Sequence, residues 1–141
     1  MNGYLLDTNI PSEMSKPRPE PQVSAWLREA NQDNIFLSVI TITELVRGIT
    51  RHKDPVQQKR LQTWFDTQIR EWFELEILPV TGPIADLTGR LIGRRDLAGR
   101  PLALGDALIA ATALEYDLTL VTRNTRDFID IGLRLINPWE T

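Results

Sequence analysis

The sequence predicts an α/β fold: a central, mostly parallel sheet of four or five strands, covered by helices on both faces in three layers, α/β/α. Short β-rich runs recur along the chain, helical stripes lie between them, and acidic side chains stand where strands end or helices begin. Alternating strands and helices require parallel crossovers, and those place a helix layer on each face. In wound sheets of this kind, the strand C-termini and the helix N-termini that follow them open onto one crevice.

Tyr4-Leu5-Leu6 is an apolar run suited to a short buried first strand. Residues 12–21, with Pro17, Pro19 and Pro21 among them and Pro11 just before, read as a polar connector. Val23, Trp26, Leu27 and Ala30 then recur at helical spacing, and Ile35-Phe36-Leu37-Ser38-Val39 reads as a second strand. A helix follows from Thr41, with Thr41 or Thr43 as its cap and Ile42, Leu45, Val46 and Ile49 as its apolar stripe. Asp54-Pro55 is an N-cap with proline at the first helical position. The helix it opens carries Trp64, Phe65, Trp72 and Phe73, rings better suited to a core or subunit interface than to stacking bases. Residues 75–80 form a third strand candidate, and Ile84, Leu87, Leu91 and Ile92 a helix that breaks near Gly99-Arg100-Pro101. Residues 105–116 are Ala-rich and apolar nearly all round, the pattern of a buried helix. Leu118-Thr119-Leu120-Val121-Thr122 is the cleanest strand, and residues 133–136 suit a last short one.

The 141 residues are read as one domain, 1–141, and a hydrophobic share of 42% with 25% charged residues is ordinary for a globular protein. No segment approaches the ~20 consecutive apolar residues of a membrane span. The first residues lack the basic start of a secretory signal, so the cytoplasm is the expected compartment and no membrane partner is expected. The absence of cysteine excludes disulfides, thiolate zinc sites and a cysteine nucleophile. A net charge of −3 argues mildly against nucleic acid as a partner. The distribution of that charge is less unfavourable, because basic residues cluster at positions 47–60, 90–100 and 123–126. Any one such cluster alone is best read as a solvated face.

Three acids carry the chemistry. Asp7 ends the first strand, Glu44 follows the second and points away from its helix's apolar stripe, and Asp106 opens the buried helix. Each alone has a plain structural explanation: a turn at Asp7-Thr8-Asn9, an ion pair between Glu44 and Arg47, a helix cap at Asp106. Together they place carboxylates at the same end of three α/β crossings, with the polar set Thr122-Arg123-Asn124-Thr125-Arg126-Asp127 after the fourth strand. Converging carboxylates repel one another unless a cation holds them, and hard oxygen ligands favour Mg²⁺ or Mn²⁺. Other chemistries fit poorly. The single histidine, His52, has no serine partner motif, and neither a Lys-Ser/Thr phosphate loop nor Gly-x-Gly-x-x-Gly occurs.

The segments Leu5-Leu6-Asp7-Thr8-Asn9, residues 38–45, residues 105–113 and residues 120–128 resemble, in order and spacing, those of the PIN-domain family. More narrowly, the chain is similar to VapC-type toxins of bacterial type II toxin–antitoxin modules. The resemblance implies a Mg²⁺- or Mn²⁺-dependent endoribonuclease acting on RNA. It also implies a homodimer, and neutralisation by a cognate VapB-type antitoxin whose C-terminal segment covers the active site. Asp7, Glu44 and Asp106 match the family's first three acids and would hold the metal. The position that often carries a fourth acid is Asn124 here, which makes Asp127 the alternative catalytic carboxylate. Thr122 matches a hydroxyl position after the fourth strand and, with Thr8, Asn9 and Asn124, would support the site. Arg47, Arg51, Arg123 and Arg126 are the weaker candidates for steering RNA, and Arg94 and Arg95 for meeting RNA, antitoxin or only solvent. The competing expectations are a catalytically silent PIN-like binding module and an acid-cluster nuclease acting on DNA.

Overall fold

Strand β1 (Tyr4–Leu6) lies at the middle of a five-stranded sheet in a computed structural model that describes residues 3–30, 34–71 and 77–140. The strand order is β3-β2-β1-β4-β5, with β2 (Ile35–Ser38), β3 (Ile77–Leu78), β4 (Thr119–Val121) and β5 (Leu135–Ile136). Every pairing is parallel, and Leu5 stands opposite Phe36 on one side and Leu120 on the other. From β1 the chain winds outward to β2 and β3, then returns to the other side of β1 for β4. The strand order therefore reverses between β1 and β4, where a wound sheet leaves a crevice beyond its strand ends.

Side chains alternate between the two faces, as the period of two requires. Leu5, Phe36 and Leu120 pack with α5 (Gly82–Leu97) and α6 (Leu104–Glu115). Leu6, Ile35, Leu37 and Val121 pack with α1 (Asn9–Met14) and α2 (Pro21–Glu29). This is the expected three-layer arrangement. A third apolar cluster, Leu45, Ile49, Phe65 and Ile69, joins α3 (Val39–Thr50) to α4 (Pro55–Trp64) and the π-helical turn Phe65–Ile69 that extends it.

Local signals explain most boundaries. Asp54 caps α4 by accepting from the Val56 amide at 3.0 Å, with Pro55 at the first helical position. Gly99, at φ +72°, ends α5, and the amides of Gly99 and Arg100 return to the carbonyls of Asp96 and Arg95.

Three expectations are corrected. Neither Thr41 nor Thr43 caps α3: Ser38, the last residue of β2, accepts from the Ile40 amide at 3.0 Å, so strand runs into helix without a loop. Residues 12–14 of the supposed connector belong to α1, whose first turn tolerates Pro11 because the missing N–H would be unpaired there anyway. Arg95 is not a surface cation but is buried on α5. Trp72, Phe73 and the start of the third strand candidate, residues 75–76, lie outside the described residues.

Candidate active site

Asp7 stands one step beyond the last paired residue of β1, and its amide donates to Val121 of β4 at 2.9 Å. It is 5% exposed. Its Oδ1 accepts from the Thr8 amide at 2.8 Å, and its Oδ2 from the Thr122 hydroxyl at 2.8 Å and from Asn9 Nδ2 at 3.3 Å. Burial pushes the carboxyl's pKa above the ordinary aspartate range and Glu44 adds repulsion, while the three hydrogen bonds pull the other way. Thr122 is fully buried, and besides donating to Asp7 its oxygen accepts from the Asn124 amide at 3.0 Å. The pair thus bridges the ends of β1 and β4 at the point where the strand order reverses.

Glu44 reaches the same crevice from α3. Its Oε1 accepts from the Thr8 hydroxyl at 2.5 Å. That hydroxyl has one proton, so Thr41, fully buried and 3.1 Å away, donates its own to Thr8. Thr41 therefore supports Glu44 through Thr8, a role that its apparent fit as a helix cap concealed. Glu44 Oε2 lies against the first turn of α6, where a Cβ built on Gly105 would stand 2.9 Å from it. Only glycine leaves this carboxylate its place, and the positive end of α6 favours the charge there.

Asp106, the third residue of α6, is half-buried. Its pKa is pushed up to about 6, first by burial and then by the carboxylates of Asp7, Glu44 and Asp127. Four acids from four segments of the chain thus act on one crevice. Asp127 lies on the 3₁₀ turn Thr125–Phe128 and is exposed. Asn124 is also exposed, and its main-chain N–H on Thr122 ties it to the site.

The arginines stand around this centre rather than in it. Arg47 is exposed one turn beyond Glu44, Arg51 ends α3, and Arg126 is exposed beside Asp127. The Arg123 guanidinium sits over the Trp139 ring at 5.1 Å, while its amide donates to Asn9 Oδ1 at 3.3 Å. Among the described residues, no arginine or lysine offsets the charge that raises Asp106.

The donor set suits a hard divalent cation: carboxylate oxygens with negative charge in excess and no sulfur or imidazole. Among the described residues, no three acids or histidines close round one point tightly enough to hold an ion by themselves.

Fold and site together define an α/β domain with an acidic crevice at its topological switch point. A family model described as the PIN domain matches residues 4–133, and the chain belongs to the PIN-domain family. It is 33% identical over 135 residues to "Toxin FitB" of Neisseria gonorrhoeae, covering 96% of this chain and 97% of that one. The crystal structure of FitAcB from the same organism superposes with a TM-score of 0.88 at 33% identity, over 98% of this chain and 99% of that chain. "VapC ribonuclease Y4jK" of Sinorhizobium fredii is 29% identical over 136 residues, 96% of this chain and 97% of that one. A toxin–antitoxin complex from Klebsiella pneumoniae matches with a TM-score of 0.71 at 27% identity, over 99% and 100% of the two chains.

Proposed function

We propose that this protein is the endoribonuclease toxin of a type II toxin–antitoxin pair, hydrolysing RNA phosphodiester bonds with Mg²⁺ or Mn²⁺ as cofactor. The observation that carries the proposal is the convergence of Asp7, Glu44, Asp106 and Asp127 on one crevice, where burial and the other three carboxylates raise the Asp106 carboxyl and, among the described residues, no arginine or lysine offsets them. A silent binding module would gain nothing from keeping such repulsion. Asp7, Asp106 and Glu44 would hold the cation. Bound there, it supplies charge opposite the phosphate oxygens and lowers the pKa of water towards neutrality.

The chain's own groups then have distinct tasks. Thr122, Asn9 and the Thr8 amide fix both oxygens of Asp7. Thr8 fixes one oxygen of Glu44, leaving the other towards α6. Glu44 or Asp127 orients the attacking water and accepts its proton as it attacks phosphorus in line with the leaving 3′-oxygen, which takes up a proton from solvent. Asp127 takes the place of the acid missing at Asn124. Arg47, Arg51, Arg123 and Arg126 steer the phosphate backbone towards a pocket that would otherwise repel it.

Two partners follow. An apolar groove of ≈ 330 Å³, bounded by Ile10, Pro11, Met14, Leu27, Trp64 and Ile69, suits the apolar C-terminal segment of a VapB-type antitoxin. Leu97 and Leu104, 92% and 63% exposed at adjoining ends of α5 and α6, are apolar surface that a homodimer would cover. Induction of the chain in a bacterial host tests the reading. Growth arrest with accumulating cut RNA is expected, lost in Asp7→Ala and relieved by the product of a small gene immediately upstream. Equal toxicity from the Asp7→Ala chain would contradict the reading.

A further inference from the structure

The basic residues of α5 differ sharply in their surroundings. Arg90 and Arg94 are exposed, and Arg90 pairs with Asp86 one turn back at 2.9 Å. The Arg95 side chain is only 10% exposed. Its Nη2 donates to the main-chain carbonyl of Asp127 at 2.7 Å and, more weakly, to that of Ile129 at 3.4 Å. The same nitrogen lies 3.4 Å from Asp130 Oδ1, while Arg100, placed by the turn that ends α5, pairs with the other oxygen of Asp130. Asp130 itself holds a left-handed backbone, φ 64°.

Among the described residues, few other hydrogen bonds hold this segment. The turn Thr125–Phe128 is a single short 3₁₀ element, a geometry with weak internal hydrogen bonds. The Asp127 amide donates to Asn124 at 3.0 Å, Phe128 is buried in the core, and pairing with β4 resumes only near β5. Burying a guanidinium forfeits much of its solvation, a cost that an apolar residue at position 95 would avoid. What arginine adds is a long side chain that is always charged, whose Nη2 reaches two carbonyls and a carboxylate from α5.

We infer that Arg95 is a positioning residue that clamps the Asp127 turn so that the Asp127 carboxylate faces the acidic crevice. The inference rests on Asp127 serving as the fourth acid. Arg95 touches neither substrate nor metal, and it acts by fixing the backbone from which Asp127 projects.

Direct Mn²⁺ titration of the purified chain tests it, alongside RNA cleavage and thermal midpoints, for wild type, Asp127→Asn, Arg95→Lys and the double variant. Asp127→Asn should weaken Mn²⁺ binding by roughly tenfold, the scale at which groups supporting a metal site act. Arg95→Lys keeps the charge but shortens the reach to the Asp127 and Ile129 carbonyls, and should weaken it several-fold, by less than Asp127→Asn does. The double variant should bind no worse than Asp127→Asn alone, since both changes act through one carboxylate. Asp130→Asn, at an exposed position where asparagine accepts a positive φ, should fold normally and fall between wild type and Arg95→Lys. It decides the matter if Arg95→Lys does not fold, and wild-type binding by Asp130→Asn would then overturn the inference. Effects that multiply in the double variant, or wild-type binding by folded Arg95→Lys beside a weakened Asp127→Asn, overturn it while leaving Asp127 in the site. Wild-type binding and cleavage by Asp127→Asn remove the fourth-acid assignment and the inference together.

Discussion

Replacing Asp106 by asparagine should make the metal-free protein more stable while removing its activity. Its carboxyl titrates near 3.8 in the unfolded chain and near 6 in the fold. Between those values the folded state keeps a proton that the unfolded state gives up, so folding is favoured at low pH and loses stability as pH rises through about 6. For a fully enclosed group, two pKa units would amount to about 3 kcal/mol. Asp106 is only half-buried, and solvent screening reduces this to about 1–2 kcal/mol. Removing the charge also forfeits its attraction to the start of α6, about 0.5 kcal/mol. The net gain for Asp106→Asn at pH 7.5 is therefore about 1 kcal/mol, or roughly 2–4 °C in Tm for a chain of this size. Urea unfolding in chelator at pH 7.5 and 4.5 measures it, and the gain should shrink at the lower pH, where wild type is largely protonated. Added Mg²⁺ should then stabilise wild type and leave the variant nearly unmoved. An Asp106→Asn chain less stable than wild type in chelator at pH 7.5, or equally responsive to Mg²⁺, would refute the reasoning.

Other consequences concern the groups that hold the acids. Gly105→Ala should leave stability unchanged or raise it by up to about 1 kcal/mol through helix propensity, yet slow cleavage by displacing Glu44, as melting and single-turnover assays would register. Thr122→Val removes the donor to the buried Asp7 Oδ2 and should cost about 1–3 kcal/mol in urea unfolding, with slower cleavage besides. Asn124→Asp adds a charge beside Asp127, at the position the sequence resemblance assigns to a fourth acid, and should preserve cleavage or tighten Mn²⁺ binding in a titration.

Much of the architecture was legible because its signals are local. The apolar runs at residues 4–6 and 118–122, the Asp54-Pro55 cap and the Gly99 stop each depend on a few adjacent residues, and the structure places a strand, a cap or a helix end at each. Glu44 could be set aside from its helix's core stripe by angle alone, and it is indeed exposed. Helix α1 was missed because six residues give too little periodicity to outweigh a cluster of prolines. The cap of α3 was misplaced because Ser38 serves as strand end and cap at once. Distance in sequence hid the rest. Thr41 reaches Thr8 from 33 residues away, and Arg95 reaches Asp127 across 32. In a basic run, a buried guanidinium looks the same as a solvated one until its acceptors are known. The signal that could have flagged Gly105 was its place between two acids that must converge, a glycine where a side chain would intrude.

The most direct test of the acidic crevice is cleavage of a defined RNA by the purified chain, with Mg²⁺ or with chelator, beside the Asp106→Asn protein and a DNA of the same sequence. Internal cleavage of the RNA that requires Mg²⁺, disappears in the variant and spares the DNA is the result expected. Undiminished cleavage in chelator, equal cleavage by Asp106→Asn, or preference for the DNA would contradict the assignment of the crevice as the metal-dependent ribonuclease centre.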